Sequence, residues 1–149
     1  MDSKGNDKKP ETPASSQGIL DIGVAVFLLT VLSLLVTNVY IMRLAKDYND
    51  KACREATREA ALAALSGKDE NAMMRAAQDG LNRISQGGYF IPQPNFTEFL
   101  DHKVKGVRQL RVETQTEAKV LAPILLLDQA SSQQGSITFK STCIVEFKK

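Results

Sequence analysis

The stretch IGVAVFLLTVLSLLVTNVYIM, Ile22 to Met42, contains no charged residue and is interrupted only by Thr30, Ser33, Thr37 and Asn38. A hydrocarbon core about 30 Å thick takes roughly 20 apolar residues at about 1.5 Å each, so this run has the length of one membrane-spanning helix. We place that helix at residues 19–42, which makes the rest of the chain either a tail or a tethered domain. A secretory signal peptide would carry a shorter apolar core and a small-residue cleavage site. Here Tyr40, Ile41, Met42 and Arg43 close the run, and cleavage after the helix is not expected.

Upstream, residues 1–18 are rich in Ser, Pro, Lys, Asp and Gly and read as a disordered polar leader, because they cannot bury enough apolar surface to offset the entropy of ordering. Downstream, Arg43 to Leu65 contains neither Gly nor Pro and is crowded with Ala, Glu, Arg, Lys and Leu. The spacing predicts one helix from about Leu20 to Leu65, on the order of 65 Å long at about 1.5 Å per residue. In its second half Leu44, Tyr48, Ala52, Cys53, Ala56, Ala60, Ala63 and Ala64 recur at helical spacing. They form a narrow stripe of mostly small side chains, suited to close packing on another element. Ser66 and Gly67 then supply the stop.

Residues 43–149 are expected to form one small α+β domain that begins with the helix extension. A second, shorter helix is predicted from Asp69, a suitable cap, to about Ile84, with Met73, Ala76, Ala77, Leu81 and Ile84 on one face and Gly80 weakening it. Ser85 to Phe96 reads as a loop. From Leu110 the period becomes two: Leu110, Val112, Thr114, Thr116, Ala118 and Val120 share one face. The alternation returns at Ile137, Phe139, Ser141, Cys143, Val145 and Phe147. Two long antiparallel strands are marginal alone, so their apolar face is expected to lie on the helices, with a third short strand near Tyr89 or Val104. The connection carries Ile124, Leu125, Leu126 and Leu127 after Pro123, either a plug under the sheet or an exposed patch that meets a neighbouring subunit or the bilayer.

The chain has 149 residues and a formal net charge of +2, with acids and bases evenly spread. No stripe dense enough to hold a phosphate backbone emerges, which argues against nucleic acid as a partner. His102, the only histidine, stands between Asp101 and Lys103 in a polar stretch and reads as a solvated residue. No phosphate-cradling glycine loop, metal-ligand spacing or activated nucleophile emerges. No catalytic, cofactor-binding or metal-binding residue is therefore expected, and no small-molecule substrate. Asn95-Phe96-Thr97 matches a glycosylation acceptor, a pattern short enough to arise by chance.

What the residues do offer is assembly chemistry. Gly23, Thr30, Ser33 and Thr37 fall near one face of the membrane helix, where small and hydroxylated residues let helices approach closely; the alternative is that the hydroxyls bond to their own backbone. Asp21 stands at the mouth of the apolar run. It is either an N-cap or the partner of a positive group, such as a newly exposed amino terminus, on an adjacent subunit.

The polar leader ending in Ser16-Gln17-Gly18, the acid ahead of an apolar helix, the tract Lys51-Ala52-Cys53-Arg54-Glu55-Ala56-Thr57-Arg58-Glu59-Ala60-Ala61 and the closing strand pair together resemble the TadE-like minor pseudopilins of tight adherence and related type IV pilus machinery. The resemblance implies a bacterial inner-membrane protein that assembles with other pilin-like subunits into a pilus or secretion apparatus. It also implies cutting by a prepilin peptidase within Ser16, Gln17, Gly18 and Ile19. A cut after Gly18 leaves Asp21 as the third residue, and one after Ser16 leaves it as the fifth. The flanking charges, Lys4, Lys8 and Lys9 before the span against Arg43, Lys46, Lys51, Arg54 and Arg58 after it, mildly favour a cytoplasmic C-terminus. The resemblance implies the reverse, an extracytoplasmic domain, and that orientation is adopted here.

Cys53 lies on the small-residue helix face and Cys143 on the apolar strand face, so folding can bring them together. A disulfide between them would close a loop of about 90 residues and add several kcal/mol on the chain-entropy model; the alternative is two buried free thiols. The competing functional class is a single-pass membrane adaptor whose small domain binds one partner and never enters a fibre.

Overall fold

The computed structural model describes residues 14–84, 88–104, 106–122 and 135–148. Helices α1 (Ala14–Leu65) and α2 (Glu70–Asn82) precede three strands, β1 (Asn95–Val104), β2 (Val107–Lys119) and β3 (Ser136–Lys148), in one antiparallel sheet of order β1-β2-β3. The class is α+β, with a long N-terminal apolar helix, a short helix and a three-stranded sheet, as the sequence predicts. The chain divides into two units, Met1–Ser33 and Leu34–Lys149.

The described part of the first unit is helix alone, and the large side chains Ile19, Leu20, Ile22, Phe27, Leu28 and Leu32 are all exposed. The helix begins at Ala14 rather than near Leu20, so residues 14–18, expected in the disordered leader, are helical. Propagating an existing helix by one turn needs no new nucleus, and residues 14–17 contain neither Pro nor Gly.

In the second unit, α1 lies along the sheet. Its buried positions, Asn38, Ile41, Ala45, Asn49, Ala52, Cys53, Ala56, Thr57, Ala60, Ala63 and Ala64, recur every three or four residues. The alanines let the helix backbone approach the strands. Ala56, Ala60, Ala63 and Ala64 pack with Leu110 and Val112, while Ile41 and Ala45 pack with Ile91 and Ala118. Central strand β2 therefore runs antiparallel to this part of α1. Leu44, expected on the stripe, is 43% exposed because the stripe passes through Ala45 and Asn49 instead.

The six inward residues of the β2 alternation, Leu110 to Val120, are all buried, and on β3 Ser141 is buried while Cys143, Val145 and Phe147 are half-buried opposite exposed Thr142, Ile144 and Glu146. The third strand takes the Val104 alternative: it ends at that residue and excludes Tyr89, but it starts inside the expected loop at Asn95 and, at 10 residues, is longer than expected. A register shift between Phe96 and Glu98 breaks its alternation, which hides it from a period-two reading.

Helix α1 ends in a Schellman turn, with Lys68 N–H donating to Ala63 O (3.1 Å), Gly67 N–H to Ala64 O (3.1 Å) and Gly67 at φ +73°. Asp69 then caps α2 by accepting from Ala72 N–H at 3.2 Å, and the helix ends at Asn82 rather than Ile84. Gly80, read as a weakness of α2, is buried where that helix meets α1: an added Cβ would lie 2.9 Å from Glu59 Cγ and 3.2 Å from the Glu55 carbonyl. The apolar cluster Ile124 to Leu127 lies outside the described residues.

Candidate functional site

The residues singled out for assembly lie along one helix. Asp21, Gly23, Thr30 and Ser33 are exposed and Thr37 is half-buried. A Cβ added to Gly23 would meet nothing within 4 Å, so the glycine is not required by packing within the described residues. Thr30 Oγ1 donates to Val26 O at 2.9 Å, which satisfies that hydroxyl inside its own helix. In the candidate processing region Ser16, Gln17, Gly18 and Ile19 all lie within α1, and Gly18 and Ile19 are exposed. Among the described residues one helix is long and apolar enough to cross a membrane, and no residue of its most apolar window is buried.

The domain begins to cover α1 at Asn38, although Val39 and Tyr40 stay exposed. The Asn38 amide, 2% exposed, accepts from the backbone N–H of Leu121 (3.0 Å) and Ala122 (3.4 Å) and donates to the carbonyl of Ala122 (3.0 Å). These partners are backbone groups just past β2. Ile41, in the last turn of the apolar run, is also buried, so the domain covers that turn on one side. An amide inside a lipid-facing run would be costly; here its hydrogen bonds are made by the connector.

Further along α1, a polar seam enters the helix–sheet interface. Asn49 Nδ2 donates to Ser141 Oγ (2.9 Å) and to the carbonyls of Thr114 (3.2 Å) and Phe139 (3.2 Å), and the Ser141 hydroxyl donates to Asp50. One turn on, Cys53 Sγ lies 3.4 Å from both the Val112 and Ser141 carbonyls. Val112 pairs with Cys143 in the ladder, so the two cysteines meet across the interface. Both are free thiols in this structure, Cys53 buried and Cys143 half-buried, and the candidate bridge is not formed. Burial first, then the neighbouring Cys143 sulfur, pushes the Cys53 thiol up to about 12.

Beside β3, an outer strand of the sheet, lies an open groove of about 440 Å³, walled by Arg54, Arg58 and Leu62 of α1 and by Cys143 and Ile144 of the strand. His102 is exposed on β1 opposite Gln109, away from this groove's lining residues. Its neighbour Asp101 makes a two-point contact with Arg108, Nε to Oδ1 at 2.8 Å and Nη2 to Oδ2 at 2.6 Å. The Arg108 guanidinium holds the Asp101 carboxyl below the ordinary carboxylate value. Arg108 Nη2 also sits 3.1 Å from Met73 Sδ, so this pair ties β1 and β2 to α2. Within the glycosylation pattern, Thr97 Oγ1 donates to the Glu113 carbonyl at 3.0 Å.

Sequence reasoning missed Asn38, Asn49 and the Asp101–Arg108 pair. The first two are polar residues on a helix, which pattern reading assigns to solvent, although the small residues around Asn49 signalled close approach of a partner. Among the described residues no three His, Cys, Asp or Glu side chains gather as a metal site. No family model matches this chain, and neither a curated protein nor a solved structure matches it.

Proposed function

We propose that this protein is a minor pseudopilin-like structural subunit of the TadE-like kind. It is anchored in a bacterial inner membrane by the N-terminal half of α1 and assembles with other pilin-like subunits into a pilus or secretion apparatus. The observation that supports this reading is the division of labour along a single helix. Up to Val36 the large apolar side chains other than Val31 and Leu34 are exposed, and from Asn38 onward one face of the same helix is packed against its own sheet. A helix of this kind is held by lipid first and can exchange lipid for neighbouring helices later, with Gly23 permitting close approach. Asp21 stays exposed and is available to a positive group on a neighbour. The C-terminal domain then lies outside the cytoplasm, and prepilin peptidase cuts near Gly18.

The test is a sheared-fibre fraction from cells expressing the full chain. Its presence there with a new N-terminus at Ile19 or Gln17 supports the subunit reading. Full-length protein confined to carbonate-washed membranes overturns it and supports a single-pass adaptor. The groove beside β3 favours that second reading, since exposed Leu62 and Ile144 flanked by Arg54 and Arg58 offer a surface for one partner segment.

A further inference from the structure

The residues at the Asn38 end of the second unit form a group that neither assembly nor the groove uses. Twenty residues run from Ile19 through Asn38. At about 1.5 Å each they span about 30 Å, the thickness of the hydrocarbon layer, so a helix that enters lipid at Ile19 leaves it at Asn38. Asn38 is also where the sheet begins to cover α1, through its bonds to Leu121 and Ala122. The end of the sheet is therefore tied to the helix at the depth where lipid gives way to headgroups.

Among the described residues, exposed aromatic and apolar side chains gather at that depth beside Lys119. Tyr89 is 80% exposed, Tyr40 64% and Leu121 48%. Lys119 Nζ sits 5.2 Å from the centre of the Tyr89 ring, and the Lys119 backbone N–H donates to Phe90 O at 2.9 Å, which fixes the loop carrying Tyr89 to the end of β2. Phe90 and Ile91 of that loop pack on Ile41 and Ala45, Ile41 being the residue after Tyr40, and Arg43 is exposed on the same stretch of helix. Apart from the Lys119 and Phe90 contacts of Tyr89, these exposed rings and Leu121 gain little in water. At a bilayer boundary tyrosine rings sit among the headgroups with their hydroxyls wet, leucine reaches the acyl layer, and Lys and Arg extend to phosphate.

We propose that this end of the domain, formed by Tyr89, Lys119 and Leu121 with Tyr40 and Arg43 of α1, is a bilayer-interface surface seated in the phosphate headgroup layer. The proposal rests on the reading of α1 as a membrane span.

The chain contains no tryptophan, so a single substitution provides an unambiguous depth probe. Full-length Tyr89→Trp, Leu121→Trp, Phe27→Trp and His102→Trp variants are reconstituted in phospholipid vesicles, with and without acyl-brominated lipid, and titrated with aqueous iodide. All four positions are exposed, so the substitutions do not disturb packing. The expected result is that Tyr89→Trp and Leu121→Trp emit to the blue of His102→Trp, lose most of their emission to lipid brominated near the headgroup, and resist iodide. If Phe27→Trp is quenched by brominated lipid while Tyr89→Trp and Leu121→Trp respond to iodide as His102→Trp does, the surface proposal is overturned and the span stands. If Phe27→Trp itself escapes lipid quenching, the membrane reading and this proposal fall together.

Discussion

Asn49 Nδ2 lies 2.9 Å from Ser141 Oγ, and the Ser141 hydroxyl in turn donates a hydrogen bond to Asp50, so α1 and the outer strand β3 are joined by a chain of polar contacts rather than by apolar contact alone. Asn49 also donates to the Thr114 and Phe139 carbonyls, which makes one side chain the meeting point of α1, β2 and β3. Apolar alanines above and below it would allow the helix to slide; directional bonds fix its register. Asn49→Ala is therefore expected to cost about 2 kcal/mol, through lost bonds and a stranded Ser141. Thermal unfolding of the full chain in micelles, followed by circular dichroism, checks this. An unchanged midpoint would show that these contacts contribute nothing.

The Asp101–Arg108 pair predicts how the domain responds to acid. Asp101 has its carboxyl lowered from 3.8, first by the Arg108 hydrogen bond, and its side chain is only 4% exposed. A lowered folded-state value means that the unfolded chain binds the proton more readily. The pair's stabilisation is thus complete above the ordinary aspartate value and is lost as pH falls through the folded-state value. Asp101→Asn should remove about 3 kcal/mol at neutral pH, because Arg108 is left without its charge partner, and should flatten the acid limb of the stability curve. A variant that loses stability with the same steepness below pH 3.8 as the parent would contradict this assignment.

Gly80 offers a test of how closely the two helices approach. Alanine gains about 1 kcal/mol over glycine in a helix interior, so on propensity alone Gly80→Ala stabilises. The new methyl would nevertheless meet Glu59 Cγ at 2.9 Å and, less forgivingly, the Glu55 backbone carbonyl at 3.2 Å. It would also disturb the Arg83–Glu59 ion pair at 3.1 Å. Overpacking of this kind costs about 1–3 kcal/mol, which outweighs the propensity gain. A net loss near 1 kcal/mol in urea unfolding is expected, and a net gain would mean that α2 sits further from α1.

These cases also explain how much of the molecule was legible in its residues. The β2 alternation from Leu110 to Val120 was readable because every inward position is apolar or small, and the end of α1 was readable because Gly67 is the left-handed residue of its stop. Strand β1 was legible only at its Val104 end, since Phe96 and Phe99 stand three apart across a bulge and mimic neither period. Asn38 and Asn49 were missed for a different reason: whether a polar helix residue faces solvent or a partner is settled by tertiary contacts that local pattern does not encode. Of the candidate site, the apolar helix face was visible at once, while the Tyr89, Lys119 and Leu121 grouping required the fold to bring loop, strand end and helix together.

The cysteines make a chemical prediction. With its thiol pushed up to about 12 and its sulfur buried beneath the Val112 and Ser141 carbonyls, Cys53 holds its proton at neutral pH and lacks the thiolate needed for alkylation. Cys143 is half-buried and lines the open groove. Iodoacetamide at neutral pH should label Cys143 first, with Cys53 labelled only on unfolding, as read by mass spectrometry of tryptic peptides. Equal labelling rates in the native protein would show that the helix–strand interface opens. Labelling of neither thiol without reductant would reveal the disulfide.

Gly23 separates folding from association. No atom lies within 4 Å of where its Cβ would stand, so Gly23→Leu should leave the unfolding midpoint of the monomer unchanged or slightly raised. If the bare half of α1 packs against copies of itself or related helices, the same substitution holds the backbones apart. It should then weaken association in vesicles by roughly tenfold, about 1.4 kcal/mol. Thr30→Val is the control, because the Thr30 hydroxyl already donates to Val26 O within the helix and its loss should change association little. Energy transfer between donor- and acceptor-labelled copies, measured against dilution in lipid, reads both variants. Wild-type association by Gly23→Leu would place the packing face elsewhere on the helix and remove this glycine from the assembly surface.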